Sequence, residues 1–326
     1  KKAQRQAAEK AALVRAKAKA KAKGDAAAGS VVDKFRRKTR VRRAARQFLL
    51  ERFESMWDCL PAALAGDAEA GIHQMRVESK RLREAMRLFG KAYRTAEFER
   101  LLHEVDRLND RLGLVRDADV LSDEIGGVDK QRGNPMLTGL RDDLAARRVV
   151  DQADLTAYLT DLAKGNFERT FRRLVRLGRH SADHAVAGQS LRRFAPLEVG
   201  RRLRKVLKRL RGVKGEGDAL GLHKVRIANK HLRYAMETFS GIYDRRFGTA
   251  LARVAELHKA LGDVHDLDVL SERITAFATA HEALDQVADQ LQAIAQRRSR
   301  LFGRLESSLT PEGISGFGRA VMDTLE

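Results

Sequence analysis

The chain has 326 residues, with 64 Lys and Arg against 44 Asp and Glu for a formal charge of +20, and a surplus of that size points to an anionic partner. Only 4 Pro and 6% aromatics accompany abundant Ala, Leu, Arg, Lys and Glu, straight-chain residues that keep most of their rotamer freedom in a helix, so an all-α fold is expected. A single cysteine, Cys59, excludes an internal disulfide and a cysteine-built zinc site, and no apolar run approaches the roughly 18 residues of a membrane span, so the sequence reads as cytoplasmic with no membrane partner.

Residues 1–30 form a basic Ala/Lys-rich arm with almost nothing large and apolar to bury, expected to be a linker, a tether or a non-specific polyanion contact. Residues 1–46 carry 17 Lys and Arg against 3 Asp and Glu, which leaves 47 against 41 for residues 47–326. Bulk charge therefore says little about the folded body, and a site there must rest on how its charges are arranged. The first residue is Lys rather than Met, which leaves an upstream segment open.

Helical periodicity begins near Val31. Residues 72–89 read IHQMRVESKRLREAMRLF. On a helix at 100° per residue with His73 as zero, Arg76, Lys80, Arg83 and Arg87 fall at about 300°, 340°, 280° and 320°. That is a basic stripe about 80° wide, beside an apolar stripe of Met75, Leu82, Met86 and Phe89 at about 160–220°. Stacked cations three and four residues apart repel, and an anion relieves them. Arg offers a planar fork and Lys a point charge, a mixture suited to a chain of phosphates.

Further on, residues 112–122 read LGLVRDADVLS, placing Arg116, Asp117 and Asp119 after a glycine. With no acid-rich cluster around them, the two carboxylates read as groups that hold the forks of the stripe arginines rather than as metal ligands. Gly126–Gly127, Gly133–Pro135 and Gly212–Gly221 are expected in loops, and Gly188 to Pro196 at a junction. His180 and His184 have the spacing of helical metal ligands but no third ligand nearby, so no metal site is expected.

Residues 222–239, LHKVRIANKHLRYAMETF, repeat the first stripe at an offset of 150, with His223, Arg226, Lys230 and Arg233 in place of His73, Arg76, Lys80 and Arg83. Residues 261–271, LGDVHDLDVLS, repeat the second segment at an offset of 149, with His265, Asp266 and Asp268 for Arg116, Asp117 and Asp119. The body reads as a duplication with repeats near 31–185 and 190–326, each with room for four or five helices. No phosphate loop, serine elbow or alternating Glu/Lys strand is present, so neither an enzyme nor a cofactor is expected.

The doubled His-x-x-Arg-x-x-x-Lys-x-x-Arg helix, followed each time by Leu-Gly-x-x-(Arg/His)-Asp-x-Asp-Val-Leu, resembles the CHAD family, the conserved-histidine alpha-helical domain, over about residues 31–326. The resemblance implies two helical-bundle repeats with pseudo-twofold symmetry around a basic central cavity, inorganic polyphosphate as ligand and association with polyphosphate granules. It also implies frequent fusion to a CYTH triphosphatase domain, whose pattern this chain lacks, so a role as accessory module of a polyphosphate- or triphosphate-processing enzyme stays open. Carried over by motif, the polyphosphate-binding residues are His73, Arg76, Lys80 and Arg83 with His223, Arg226, Lys230 and Arg233. Arg81, Arg87, Arg116 and His265 join them, and Asp117, Asp119, Asp266 and Asp268 stand behind. Copy two departs at His231, Glu237 and His265, so the halves need not contribute equally. Nucleic acid, held by the arm and surface, is the rival partner, weakened by the lack of aromatics for base stacking.

Overall fold

A computed structural model describes residues 36–93, 95–129, 133–177 and 184–326. The basic arm, the start of the expected first repeat and His180 lie outside them. The first half contains α1 (Val41–Trp57), α2 (Leu60–Leu64), α3 (Gln74–Phe89), α4 (Ala96–Val128), α5 (Pro135–Lys164) and α6 (Phe167–Leu177). After the short α7 (His184–Gly188) come α8 (Leu191–Leu210), α9 (Ala219–Phe239), α10 (Arg245–Ala280), α11 (Ala288–Phe302), α12 (Glu306–Leu309) and α13 (Pro311–Met322). The described residues form no β-strand, and the fold is all-α. An isolated antiparallel bridge between Arg40 and Ser190 ties the start of α1 to the start of α8.

The two halves run through the same order of neighbours. In the first, α3 packs between α1 and α4, and α4 packs on α5; in the second, α9 packs between α8 and α10, and α10 packs on α11. The register of 150 extends into the outer helices: Val41, Ala45, Leu49, Phe53 and Met56 of α1 and Leu191, Ala195, Val199, Leu203 and Val206 of α8 are all buried. The halves meet where α3 crosses α9, α1 touches α8, and α10 lies on α4 and α5. One continuous apolar cluster draws on both halves, and a second joins Ile125, Leu137 and Leu140 to Leu267, Leu270 and Ile274. At the middle of the first, the matched Phe89 and Phe239 meet edge-on at 6.2 Å, and Phe194 contacts both at 5.9 and 6.0 Å.

Three punctuation signals act differently from expectation. Gly126–Gly127 is not a loop, because α4 continues to Val128 and Ile125 is locked into the second apolar cluster, which outweighs the roughly 1 kcal/mol that each glycine costs a helix. Pro196 lies inside α8 rather than at a junction. The first turns of that helix are anchored by Leu191 N–H donating to the Thr39 carbonyl and Arg192 N–H to the Arg37 carbonyl, both at 2.8 Å. Gly221 stands in the first turn of α9, after its cap Asp218. Gly133–Pro135 is a break as expected, with Asn134 capping α5 and Pro135 in its first turn.

Candidate functional site

The stripe helices enter by different routes. A π-helical turn, Ala68–His73, capped by the Asp67 carboxylate, leads into α3, whereas α9 is regular from Ala219 and Asp218 accepts from Gly221 N–H at 2.8 Å. Gly71 is required by close approach, since a Cβ there would sit 2.5 Å from the Ala62 and Ala63 backbone.

In the first half the stripe faces α4. Arg76 donates to Asp117 at 2.7 Å, and the two lie over Gly113, about 4 Å from where its Cβ would stand. Arg83 stands 3.6 Å from both Glu84 and Asp106, and Arg87 donates from Nη2 to both carboxylate oxygens of Asp106 at 3.0 and 3.2 Å. Arg81 turns the other way, donating at 2.6 Å to Glu78, which also faces the buried Arg52 at 3.5 Å. Behind the stripe, the buried Asn109 contacts the Ser79 hydroxyl at 3.2 Å and donates to the Val105 carbonyl at 2.8 Å, fixing α3 on α4. At the matching place in the second half, Asn229 donates to the Val254 carbonyl at 2.8 Å.

The second half is richer in histidine. The rings of His223 and His265 lie 4.5 Å apart, and Arg226 rests over Gly262. Asp266 is exposed at this rim, within electrostatic reach of Arg226 and of Asp117 and Glu124 from α4. Arg233 pairs with Glu237 at 3.3 Å and lies over the Tyr234 ring. Burial, then Arg226 and His223, pushes His265 down to about 4. His258 is pushed to about 4 by burial and by Arg233, Arg226 and Lys230. His73 and His223 are lowered in the same way, by burial first and then by Arg116 and by Arg226 respectively.

The two stripes act on one another where α3 crosses α9. Burial, then Arg76 and, across the crossing, Lys230, brings Lys80 down to about 8 against the pull of Asp117. Lys230 is lowered by burial and then by Arg83 from the other half. A direct bridge spans the same place, with the His231 ring nitrogen 2.5 Å from Glu84. Burial alone would raise Glu84, but His231, Arg87 and Arg83 hold its carboxyl below the usual range. Along the seam the Nε–H groups of Arg76 and Arg226 and the Nδ1 atoms of His73, His223 and His258 are buried without a hydrogen-bond partner among the described residues, while the Nε atoms of Arg83 and Arg233 stand at ion-pair distance from Glu84 and Glu237, 3.6 and 3.3 Å, without forming a hydrogen bond. Such groups carry a desolvation cost until an acceptor arrives. Two surface grooves, of about 500 Å³ between α4, α5 and α6 and about 660 Å³ along α5, do not touch the stripes.

The sequence-derived residues are therefore brought together in part. His73, Arg76, Lys80, Arg83 and Arg116 converge with His223, Arg226, Lys230, Arg233 and His265, while Arg81 and Arg87 are engaged by Glu78, Glu84 and Asp106. Asp117 holds a stripe arginine, but Asp119 and Asp268 do not: they bind Arg148 of α5 and Arg298 of α11, at matching places in the two halves. Asp266 makes no hydrogen bond to the Arg226 Nε–H among the described residues. Residues at a separation of two point about 200° apart on a helix, so one carboxylate of each pair must face the next helix. Sequence reasoning missed His258, Glu84 and Asp106. The spacing of seven between His258 and His265 put both on one face of α10 and was a usable signal; the other two gain their roles from packing.

A family described as CHAD domain matches residues 47–275. Rv2226 of Mycobacterium tuberculosis (strain ATCC 25618 / H37Rv), described as uncharacterized, is 30% identical over 196 residues, 55% of this chain and 35% of that protein. MT2285 of the CDC 1551 / Oshkosh strain matches to the same extent, so the similarity spans about a third of these curated relatives. The crystal structure of the CHAD domain from the plant Ricinus communis aligns with 90% of this chain and 94% of its own, with a TM-score of 0.60 and 25% identity. PptA from Streptomyces chartreusis shares the fold over 81% of this chain and all of its own, with a TM-score of 0.54 and 16% identity.

Proposed function

This chain belongs to the CHAD domain family, and we propose that it binds inorganic polyphosphate in a basic cavity between its halves, without turning it over, and travels with polyphosphate granules in the cytoplasm. One observation carries the reading: the matched cations of α3 and α9 converge at a crossing where Lys80 and Lys230 are both depressed, first by burial and then by neighbouring cations that include one from the opposite half, and where the Nε–H groups of Arg76 and Arg226 lack acceptors among the described residues. A run of phosphates supplies both what the cations need in charge and what the buried N–H groups need as acceptors. From His73 to Arg83 the stripe rises about 15 Å, room for several phosphates in a row. Three of the four matched aspartates are committed to arginine, Asp117 to Arg76, Asp119 to Arg148 and Asp268 to Arg298, and Asp266 is exposed at the rim within reach of Arg226. That arrangement favours holding a polyanion over hydrolysing it.

The test is competition at fixed salt, with labelled short-chain polyphosphate displaced by unlabelled polyphosphate, duplex DNA or RNA. Displacement by polyphosphate at much lower phosphate concentration than by either nucleic acid supports the reading. Equal displacement by all three overturns it. Phosphate release from polyphosphate with Mg²⁺ or Mn²⁺, abolished by D117N and D266N, would instead make the chain an enzyme.

A further inference from the structure

The matched outer helices α1 and α8 differ in charge where they face solvent. At the offset of 150 that aligns their buried faces, Glu51, Glu54 and Asp58 of the first half stand where the second half has Arg201, Arg204 and Lys208. With Lys205, Arg209 and Arg211, all exposed, these make six cations along the last three turns of α8 and its end. The only acid of α8, Glu198, is buried under Arg201 and Arg202. Among the described residues, Arg204, Lys205, Lys208, Arg209 and Arg211 form no side-chain ion pair or hydrogen bond. At separations of three and four, Arg201–Lys205, Arg204–Lys208, Lys205–Arg209 and Lys208–Arg211 repel one another, which weakens an isolated helix. Exposed helices elsewhere in the chain intersperse acids, as in Glu104–Arg107 and Asp143–Arg147.

We propose that the exposed face of α8 is a second polyanion site, separate from the seam, and that it takes duplex nucleic acid through its two phosphate rows. The shape of the patch separates it from the seam. Taking Arg201 as zero, the cations from Arg211 through Arg204 and Lys208 to Lys205 and Arg209 cover an arc of about 160°, twice the width of the seam stripe. A single phosphate chain needs a narrow line of donors, whereas a helix edge lying against a groove meets phosphates on both flanks. From Arg201 to Arg211 the cationic track rises about 15 Å, and exposed Arg193, at about 280°, stands apart from it beyond the buried Phe194 and Glu198. The Arg40–Ser190 bridge adds the exposed Arg40, Arg42 and Arg43 at the near end of α8. No side chain on the arc suits base reading by stacking, so the contact is to the backbone and indifferent to sequence. A lipid surface fits less well, because the apolar face of α8 is consumed by the core and Leu197 alone is left exposed on the arc.

The experiment compares the full chain with R204Q/K208Q and R201Q/K205Q, using a short DNA duplex, short-chain polyphosphate and vesicles of mixed anionic lipid as separate probes. Helical circular dichroism shows that the substitutions leave the fold intact. Each pair is expected to weaken duplex binding at least about tenfold at low salt and to lower the slope of log affinity against log salt by about two, one for each phosphate no longer neutralised. Short-chain polyphosphate affinity should stay within about twofold, since the seam is untouched. Duplex binding that both variants leave unchanged overturns the proposal, as does a fall in polyphosphate affinity equal to the fall for DNA. Vesicle binding that the substitutions abolish while duplex binding persists overturns it too. The two sites are independent: a chain that fails to bind polyphosphate can still satisfy every expectation for the duplex.

Discussion

Lys80, His258 and His265 make the seam respond to protons. Lys80 is lowered to about 8 from an ordinary 10.5, so the folded protein disfavours its charge; that cost is complete below pH 8 and fades as pH rises toward 10.5. A bound polyanion reverses the preference. Binding at pH 8 should therefore take up protons, visible as a dependence of the calorimetric heat on buffer ionisation enthalpy, and affinity should fall between pH 7 and 9. Heats that are the same in every buffer would remove Lys80 from the site. His258 and His265, both lowered to about 4, are neutral at pH 7, and their cost to the fold appears as pH falls from 6.5 through 4. Thermal melts at pH 5 should show the free protein losing more stability than the polyphosphate-bound one. The stripe residues were legible because one helical wheel fixes which side chains share an edge. Glu84 was not, because its value comes from His231, 147 positions away, brought alongside by the crossing of α3 and α9. The pairing of Asp119 with Arg148 depends likewise on how α4 packs on α5.

Among the elements, the stripe helices owe their placement to the turns that precede them. Gly71→Ala would drive a Cβ against the Ala62–Ala63 backbone, which has no rotamer to yield, and overpacking of that kind costs about 1–3 kcal/mol. At the matching Gly221 the obstruction is the Asp218 side chain, free to rotate away at the cost of its cap, about 1 kcal/mol. Chemical denaturation should therefore rank Gly71→Ala as the more damaging change, and equal effects would show that the π turn yields easily. The helical character of these segments was plain from composition and period. Their boundaries were not, because Gly126, Gly127 and Pro196 break helices only where no apolar contact holds the chain on both sides of them. Ile125 on one side, and Leu191, Phe194 and Val199 around the other, supply that hold.

As a whole, the molecule is one folding unit built from two similar halves, because Phe89, Phe194 and Phe239 interlock across the boundary and leave neither half a closed core. Phe239→Ala should cost about 3–5 kcal/mol and lower a single thermal transition rather than split it in two. The same interlocking brings the two stripes to one crossing, and the proposed sharing of one ligand there is what separates a formed site from bulk charge. Substituting Arg76 and Arg83 with Ala, Arg226 and Arg233 with Ala, or the arm residues Lys19 and Lys21 with Ala removes two charges each time. A chain that merely attracts polyanions weakens alike in all three. Donors held by packed helices contribute about 1.5–3 kcal/mol per charged hydrogen bond, so both seam variants should lose far more polyphosphate affinity than the arm variant. Combining the two seam variants should then cost less than the sum of their separate losses, since each alone already releases much of the shared chain. Strict additivity would mean that each half binds its own phosphates and that the crossing of α3 and α9 joins two sites rather than building one.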